Sequence, residues 1–276
     1  MTQKERAAHF RRLHENGPLV LPNAWDAASA RVIELAGAPA IGTTSAGVSW
    51  AHGRRDGHGL RRDEMIEAIR RIVEAVDVPV TADIEGGYGS GSVEDVAETV
   101  RAVVELGAVG INLEDASGDA RTPLLAPEVQ AERIRAARAA AVAAGGDLFI
   151  NARTDVYLAQ VGEPRSRLDA TIERANLYLA AGADGVFVPG VVDADTIAAL
   201  ARAIDGPLNI MWLPGAPAVP DLARLGVARV SVGPALALAA FAATQQAARE
   251  LLERGTYDPL EHGLSFGEVD GMFARA

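Results

Sequence analysis

Cysteine is absent from the chain of 276 residues. This absence excludes disulfide bonds, a thiolate metal site and a cysteine that acts as nucleophile or acid. Because disulfide frameworks are typical of secreted proteins, it also favours an intracellular protein, and we expect a cytoplasmic location.

Long apolar runs and a surplus of positive charge are also missing. No uninterrupted apolar run approaches the ~18 residues of a membrane span, and the N-terminal sequence MTQKERAAHFRRLHENG lacks the apolar core of a secretory signal. The formal net charge is -11, whereas nucleic acids and anionic membranes are bound by clustered Lys and Arg. These absences argue against nucleic acid and membrane partners and favour a small ligand.

A repeated pattern of helix, glycine and strand runs along the chain. An apolar helical stretch, then Leu or Ala before Gly, then a short apolar run recurs as ELAGAPAIG around Gly37, ELGAVGINL around Gly107, AAGADGVFV around Gly182 and RLGVARVSV around Gly226. The pattern is typical of a helix that ends at a left-handed glycine and precedes a strand buried on both faces. Helices and strands should therefore alternate, and no Pro- or Ser-rich linker divides residues 1–276, which predicts one domain.

Eight candidate strands follow from the apolar runs. They are predicted at residues 19–25, 40–46, 78–84, 110–115, 147–153, 185–189, 207–212 and 229–233. Eight parallel strands, each followed by a helix, close a barrel, whereas a doubly wound sheet usually has about five or six. The predicted fold is an α/β (β/α)8 TIM-type barrel with extra N- and C-terminal helices. Residues 253–276 are predicted to form a short helix or tail that packs on a neighbouring subunit.

Polar side chains concentrate at the ends of the first five predicted strands, which is where the active site of such a barrel lies. They are Asn23, Trp25, Asp26, Thr43, Thr44, Ser45, Asp83, Glu85, Glu114, Asp115, Asn151, Arg153 and Asp155. A single acid after a strand is most often a helix cap or a loop residue, and this is our interpretation of Asp26, Asp115 and Asp155.

Three of these acids, Asp83, Glu85 and Glu114, would lie at the tops of adjacent strands. Buried carboxylates that converge repel one another unless a cation or a proton compensates. A bound divalent metal explains the arrangement most simply. Oxygen ligands without Cys or suitably spaced His favour Mg²⁺ or Mn²⁺ over Zn²⁺.

Arg153 lies inside an otherwise apolar run, and a buried guanidinium needs anionic partners. Two interpretations remain open: Arg153 pairs with Glu114, or it holds a substrate carboxylate. The glycines of IEGGYGSGS match neither a Walker loop, whose lysine is absent, nor the dinucleotide fingerprint, so we expect a tight turn there. The loop AHGRRDGHG carries Asp56 together with His52 and His58, and we interpret both histidines as solvated.

Several motifs together resemble the isocitrate lyase and phosphoenolpyruvate mutase superfamily, especially its short members related to methylisocitrate lyase and the phosphonomutases. The resemblance spans residues 8–250 and is carried by LPNAWDAASA, TTSAG, the RRD that ends at Asp56, TADIEGGYG, NLED, NARTD, AGADGVFVPG, PGAP and VSVG. It implies a Mg²⁺ site in which Asp83 is the direct ligand. Asp56, Glu85 and Glu114 would reach the metal largely through water.

The resemblance also implies how a substrate is bound and how the chain assembles. Thr43, Thr44 and Ser45 match the segment that binds the substrate carboxylate and enolate oxygen, and Arg153 matches an arginine that contacts substrate. The superfamily handles 2-oxo or enol carboxylates. Its barrels usually form tetramers that exchange terminal helices, so we expect a homo-oligomer, either a tetramer or a dimer.

The sequence departs from the superfamily pattern after Glu114. The lyases carry a Lys-Arg-Cys-Gly-His-type loop there, whose cysteine is the acid toward the product enolate, and the phosphonomutases carry a Lys-Thr-Asn-Ser-type loop. This chain has DASGDARTPLLAPE instead. In addition, Glu85 replaces the usual Asp. The usual route of isocitrate or methylisocitrate cleavage and the mutation of phosphoenolpyruvate both fit this loop poorly.

The residues and the resemblance lead to one principal hypothesis. The chain is predicted to be a Mg²⁺-dependent lyase that cleaves a C–C bond in, or decarboxylates, a small 2-oxo or 2-hydroxy carboxylic acid through an enolate. Asp83, Glu85 and Glu114 are the predicted metal residues, and Asp56, Glu114 and Arg153 are the predicted catalytic residues. Phosphonomutase-type P–C chemistry on phosphoenolpyruvate-like substrates and a non-catalytic ligand-binding barrel remain as alternatives.

Overall fold

A computed structural model of the protein describes residues 2–15, 17–57 and 59–274. His58, which is predicted to be solvated, lies outside the described residues. Within them, nine strands form one parallel sheet. They are β1 (Leu19–Leu21), β2 (Asn23–Ala24), β3 (Ile41–Thr43), β4 (Val80–Asp83), β5 (Gly110–Glu114), β6 (Phe149–Arg153), β7 (Gly185–Val188), β8 (Leu208–Met211) and β9 (Arg229–Ser231). Around the sheet the order is β1-β9-β8-β7-β6-β5-β4-β3-β2.

The short strands β1 and β2 are two halves of one barrel strand. Pro22 separates them, because proline has no backbone N–H to contribute to the ladder. β1 pairs with β9 and β2 pairs with β3, so the sheet closes on itself. The carbonyl of Pro22 still accepts a hydrogen bond from the backbone N–H of Gly42 at 3.0 Å. The (β/α)8 barrel predicted from the sequence is confirmed, and every predicted strand range contains observed strand residues.

Helices alternate with the strands, as the glycine-ended pattern predicts. The described α-helices are α1 (Gln3–Arg12), α2 (Ala27–Leu35), α3 (Ser45–Ala51), α4 (Arg62–Ala75), α5 (Val93–Glu105), α6 (Pro127–Ala143), α7 (Arg167–Ala180), α8 (Ala194–Ala203), α9 (Val219–Arg224), α10 (Ala235–Arg254) and α11 (Phe266–Phe273). At the start of α5 the Ser92 hydroxyl accepts a hydrogen bond from the backbone N–H of Asp95 at 3.1 Å. Gly107 follows its last turn with φ +89°. The other three predicted helix-ending glycines also have positive φ angles.

Helix α1 covers the N-terminal end of the barrel. Phe10 is fully buried, and its ring packs edge-on against Phe149 with 5.6 Å between the centroids. The Gln3 amide donates to the carbonyl of Ala108 at 3.0 Å. Because this end is closed by apolar packing, the polar strand ends at the opposite, C-terminal mouth are the accessible ones.

The chain beyond residue 253 does form an extra helix, α11, as predicted. It contacts the barrel layer where the Arg31 Nε donates to the carbonyl of Met272 at 2.7 Å. Large apolar side chains in this segment remain exposed, among them Phe266 at 85%. None of the helices in the described part of the chain combines the length and the apolar character needed to cross a membrane.

Candidate active site

A cavity of about 210 Å³ opens at the C-terminal mouth of the barrel. Predicted site residues that line it are Thr43, Thr44, Ser45, Asp56, Asp83 and Arg153. The other two predicted acids, Glu85 and Glu114, are buried next to it rather than in its lining. The structure thus brings together side chains from strand ends that are far apart in the sequence.

Asp83 is held in the cavity wall by the end of β3. Its backbone N–H donates to the Thr43 hydroxyl at 2.8 Å, and its Oδ2 accepts a hydrogen bond from the backbone N–H of Ser45 at 3.1 Å. The other oxygen, Oδ1, is buried without a hydrogen-bond partner among the described residues. Thr44 has a local role, because its hydroxyl accepts from the N–H of Gly47 at 3.5 Å and caps α3. One carboxylate oxygen is therefore fixed while the other is left for a ligand.

Arg153 pairs with two acids. Its Nη1 lies 3.0 Å from Glu114 Oε2, and its Nε and Nη2 donate to the two Asp155 oxygens at 2.6 and 2.8 Å. Burial lowers the pKa of Arg153, but the charges of Glu114 and Asp155 outweigh it and raise that pKa above its ordinary value. The pairing with Glu114 is present, and the guanidinium also lines the cavity. Asp155 lies in the loop after β6, as predicted, and it also binds Arg153 through both oxygens.

The carboxyl group of Glu114 is shielded from water. Burial raises its pKa well above the ordinary range, Arg153 opposes the shift, and the negative charges of Asp155, Asp83 and Glu85 add to it. A cation that enters the cluster would therefore favour the ionised form of Glu114 and lower its pKa.

Glu85 and Tyr88 shape the glycine-rich loop after β4. Both have positive φ angles, 49° and 60°, and the Tyr88 hydroxyl donates to Glu85 Oε1 at 3.3 Å. The predicted tight turn is present, with the backbone N–H of Gly87 bonded to the carbonyl of Ile84 at 2.8 Å. Positive φ at residues other than glycine is strained, so the surrounding packing holds Glu85 in place.

Arg133 of α6 ties this loop to the end of β5. Its Nη2 donates to the Gly86 carbonyl, and its Nη1 donates to the Glu114 carbonyl at 3.3 Å and to Gln130 Oε1 at 2.7 Å. Sequence reasoning missed this buried arginine, because nothing in the helical pattern of α6 distinguishes it from its exposed neighbours.

Asp56 lies at the exposed rim of the cavity, in the loop before α4. Partial burial and the negative charge of Asp83 raise its pKa, while a hydrogen bond from the Gly57 backbone, the positive charge of Arg153 and a hydrogen bond from the Ser45 side chain oppose the shift. His52 in the same loop is exposed, as predicted. The interpretation of Asp26 as a cap is also confirmed, because its Oδ1 accepts from the backbone N–H of Ser29 at 2.6 Å at the start of α2.

Asp115 lies in the loop after β5, as predicted, and its side chain has a structural role there. It is fully buried. Its Oδ2 accepts hydrogen bonds from the Thr154 and Tyr178 hydroxyls, each at 2.8 Å, and pairs with Arg174 Nη1 at 3.1 Å. Its Oδ1 accepts from the backbone N–H of Asp155 at 3.0 Å. Asp115 thereby fixes the loop that carries the partner of Arg153.

A polar layer extends from the cavity lining into the barrel, and sequence reasoning placed only its member Asn151 among the polar strand ends. Asn151 donates to Asn112 Oδ1 at 2.9 Å and to Asn209 Oδ1 at 3.1 Å, and Asn209 donates to the Ser231 hydroxyl at 3.1 Å. Arg229 lies beside this layer, and burial lowers its pKa to about 9, opposed by the charge of Asp83. The available signal was an asparagine inside each of the otherwise mainly apolar strands β5, β6 and β8.

The acids fit a divalent ion that keeps most of its water. Within residues 2–15, 17–57 and 59–274, no three acidic or histidine side chains are close enough together to chelate a metal by themselves. Asp83 Oδ1 is the buried oxygen left without a partner in this cluster. Because Mg²⁺ usually binds proteins through one or two carboxylates and retains several waters, Asp83 can bind it directly, with Asp56, Glu85 and Glu114 close by.

Known proteins similar to this chain share its fold and much of its sequence. A family model described as phosphoenolpyruvate phosphomutase matches residues 10–252. An uncharacterized protein of Mycobacterium tuberculosis is 41% identical over 242 residues, 87% of this chain and 87% of that protein. The oxaloacetate decarboxylase of Pseudomonas paraeruginosa is 37% identical over 203 residues, 70% of this chain and 65% of the decarboxylase. A solved structure of a lyase or mutase from Burkholderia cenocepacia J2315 is 41% identical with a TM-score of 0.92, and the match covers 99% of this chain and 97% of that one.

Proposed function

Because the chain belongs to the phosphoenolpyruvate phosphomutase family, within the isocitrate lyase and phosphoenolpyruvate mutase superfamily, we propose that it is a Mg²⁺-dependent lyase. Its substrate is a small 2-oxo or 2-hydroxy carboxylic acid, which it cleaves at a C–C bond or decarboxylates. The observation that carries the proposal is the unpartnered Oδ1 of Asp83 in the same cavity as the Arg153 guanidinium. A metal-binding oxygen and a carboxylate-binding cation in one small cavity match such a substrate.

The residues of the chain have distinct tasks in this reaction. Arg153 binds a substrate carboxylate and, being held by Glu114 and Asp155, orients it with little loss of side-chain freedom. The backbone N–H of Ser45 and the Thr43 hydroxyl keep Asp83 in position. A bound Mg²⁺ supplies positive charge that polarises the substrate oxygens and stabilises the negative charge that develops as the C–C bond breaks.

The carbon left after cleavage has to receive a proton. The electron pair of the broken bond remains on the carbon next to the carbonyl as an enolate, and the other fragment leaves as carbon dioxide or, from a 2-hydroxy acid, as a second carbonyl compound. In the second case the hydroxyl proton passes to the water beside Asp56 as the C–OH group becomes a carbonyl. No cysteine is available, so we assign proton delivery to water at the cavity rim, beside Asp56. The raised pKa of Asp56 suits a group that exchanges protons with this water.

C–C chemistry is favoured over P–C chemistry by the charges of the cavity. Arg153 is the single cation in the described lining, whereas a phosphoryl group carries nearly two negative charges and is usually bound by several cations. The loop after Asp115 does not add a second cation to the cavity lining. It folds back on itself through the Ala116 to Leu124 bridge, and Arg121 points to solvent with 93% of its side chain exposed. The similarity to an oxaloacetate decarboxylase supports the same choice.

Replacing Asp83 tests the proposal. We expect Asp83→Ala to lower Mg²⁺-dependent turnover by at least a thousandfold, because the direct metal ligand is lost. Oxaloacetate, substituted malates and phosphonopyruvate would be supplied with Mg²⁺ while pyruvate is detected. The matched control is Asp63→Ala, since Asp63 is an exposed acid that pairs with Arg61 at the surface.

Three outcomes would contradict the proposal. Full activity of Asp83→Ala would exclude the assigned metal ligand. A P–C signal that interconverts with phosphoenolpyruvate in phosphorus NMR would establish the mutase alternative. Calorimetry that shows binding of neither Mg²⁺ nor oxalate would support a non-catalytic barrel.

The same proposal includes assembly into a homo-oligomer through the C-terminal segment, defined here as residues 255–274. Its large apolar side chains are exposed in the single chain, as are those at the end of α10, including Leu252 at 84%. Contiguous exposed apolar surface of this kind is typical of subunit interfaces. The oligomer is a dimer or a tetramer.

A further inference from the structure

A second cavity lies between the glycine-rich loop after β4 and the loop after β5. We call it the loop cavity, and its volume is about 200 Å³. Its lining comes from Gly86 and residues 89–91 of the first loop, from residues 116–118 and Leu125 of the second, and from Arg133 of α6. None of these residues lines the cavity at the barrel mouth, so the function proposed above makes no use of the loop cavity.

The loop cavity is positively charged. Arg133 is the single charged residue of its described lining, in a chain that has 37 acidic and 26 basic residues. Gly89, Ser90 and Gly118 are exposed, whereas Arg133 is only 2% exposed. A solute that enters between the two loops therefore meets a cation at the base of the cavity.

The Arg133 guanidinium has neutral hydrogen-bond partners. They are the carbonyls of Gly86 and Glu114 and the side-chain oxygen of Gln130. Its Nε is buried without a hydrogen-bond partner in the described part of the chain. A Cβ on Gly91 would lie 3.7 Å from its Nη2, so the absence of a side chain at Gly91 keeps space open beside the guanidinium.

Nearby acids do not neutralise Arg133 directly. Glu114 and Asp115 are the acids whose charges act on it, but Glu114 pairs with Arg153 at 3.0 Å and Asp115 pairs with Arg174 at 3.1 Å. Burial lowers the pKa of Arg133, and the two negative charges oppose this shift only in part. A buried cation without a direct counter-ion is stabilised by an anion that reaches it.

Two helices begin next to the loop cavity. Helix α5 begins at Val93, two residues after Gly91, and α6 begins at Pro127, two residues after Leu125. The start of α6 has no side-chain cap hydrogen bond. Because the N-terminal end of a helix carries partial positive charge, both helices add to the positive potential that Arg133 creates.

We propose that the loop cavity binds a small monocarboxylate, at a site separate from the barrel mouth and independent of the lyase reaction. One cation is balanced by one negative charge, whereas a phosphate dianion would add a second negative charge close to Glu114 and Asp115. Ala116 and Leu125 offer apolar contact to a short carbon chain. A volume of about 200 Å³ accommodates a carboxylate with a few carbons.

A charged ligand and its neutral analogue test the proposal. Butyrate and butyramide would be titrated into the full chain without Mg²⁺, and binding would be followed by saturation-transfer NMR. We expect butyrate to bind at least tenfold more tightly than butyramide, because the amide cannot balance the charge of Arg133. Equal affinities, or tighter binding of inorganic phosphate than of butyrate, would overturn the proposal.

A matched pair of variants locates the bound carboxylate. Gly118→Asp and Gly118→Asn have the same shape, both residues tolerate the positive φ of +77°, and nothing lies within 4 Å of a Cβ there. The added negative charge of Gly118→Asp should weaken butyrate binding about tenfold relative to Gly118→Asn.

Crystals of the full chain soaked in 4-bromobutyrate give a second readout of the position. The anomalous signal of bromine should lie in the loop cavity. Equal butyrate affinities of the two Gly118 variants, or a bromine signal confined to the barrel mouth beside Arg153, would show that the carboxylate binds elsewhere and would exclude the proposed site.

Discussion

Arg153 shows what can be predicted from single residues. A guanidinium inside an apolar run needs anions nearby, and this requirement follows from the sequence alone. Glu114 is one of them, but Asp155 supplies two of the three contacts. That partner was missed because Asp155 lies two residues beyond the end of β6, where the alternation of side chains along a strand no longer fixes their direction.

A prediction at the scale of single residues concerns His14 and the stability of the folded protein at acid pH. Burial lowers its pKa to about 4, helped by the nearby charge of Arg229 and opposed by hydrogen bonds to backbone carbonyls. In the unfolded chain its pKa is about 6.5, so between these values the unfolded state binds the proton and the folded state does not. Stability therefore falls as the pH drops from 6.5 toward 4, and at pH 5 this histidine accounts for about 2 kcal/mol of the loss.

Chemical denaturation of wild type and His14→Gln at pH 7 and pH 5 measures this effect. The variant should lose about 2 kcal/mol less than wild type between the two pH values, whatever its stability at pH 7. Arg12→Gln, an exposed change at the end of α1 and two residues before His14, serves as the control. Equal losses in wild type and His14→Gln would show that His14 is already protonated or that another group dominates.

At the scale of elements, local rules predicted most of the barrel. Apolar runs located every strand, and glycines located four helix ends, because both signals are contained in a few consecutive residues. The division of the first strand into β1 and β2 was not predicted, because it also depends on their different partners, β9 for β1 and β3 for β2. The Arg133 contacts to Gly86 and Glu114 join elements 47 and 19 residues apart in sequence, so no local pattern reveals them.

The glycine-rich loop after β4 gives a prediction at this scale. Gly89 has φ +62°, and a Cβ there would overlap the Asp95 carboxylate. Gly89→Ala should therefore lower the free energy of unfolding by about 2–3 kcal/mol, from backbone strain and the displaced carboxylate together. Thermal unfolding with Mg²⁺ absent measures the change.

Gly118→Ala is the matched comparison. Gly118 also has a positive φ, +77°, but nothing lies within 4 Å of a Cβ built there. Gly118→Ala should therefore lower the free energy of unfolding by only about 1 kcal/mol, which is the cost of the backbone strain. If both substitutions cost the same, the contact with Asp95 is not what requires glycine at position 89.

At the scale of the whole molecule, the (β/α)8 architecture was predictable because eight parallel strands that alternate with helices commonly close into one kind of barrel. The polar layer of Asn112, Asn151 and Asn209 was not, since its hydrogen bonds form only after the barrel closes. Exposed apolar residues such as Leu252 and Phe266 remain unpartnered in the single described chain, and this surface leads to the prediction on assembly.

Removal of the C-terminal segment tests that prediction. A chain ending at Arg254 should sediment as a smaller species than the full chain, because the exposed apolar side chains of residues 255–274 are lost. Sedimentation velocity at several protein concentrations measures the difference. A variant with Phe266→Ser and Phe273→Ser keeps the segment and should weaken association as well. Identical sedimentation of all three proteins would place the subunit interface elsewhere or show a monomer.

The closure between β1 and β9 also sets the order in which the molecule can be completed during synthesis. Leu19 pairs with Arg229, and Leu21 pairs with Ser231, so the free edge of the first strand stays open until more than 200 residues have followed it, and a contact of such sequence separation forms slowly. Throughout that interval the nascent chain exposes an unpaired strand edge that can pair with other chains. Ribosome-bound chains that end before β9 should therefore depend on chaperones, and release of the last strand is the step that relieves this dependence.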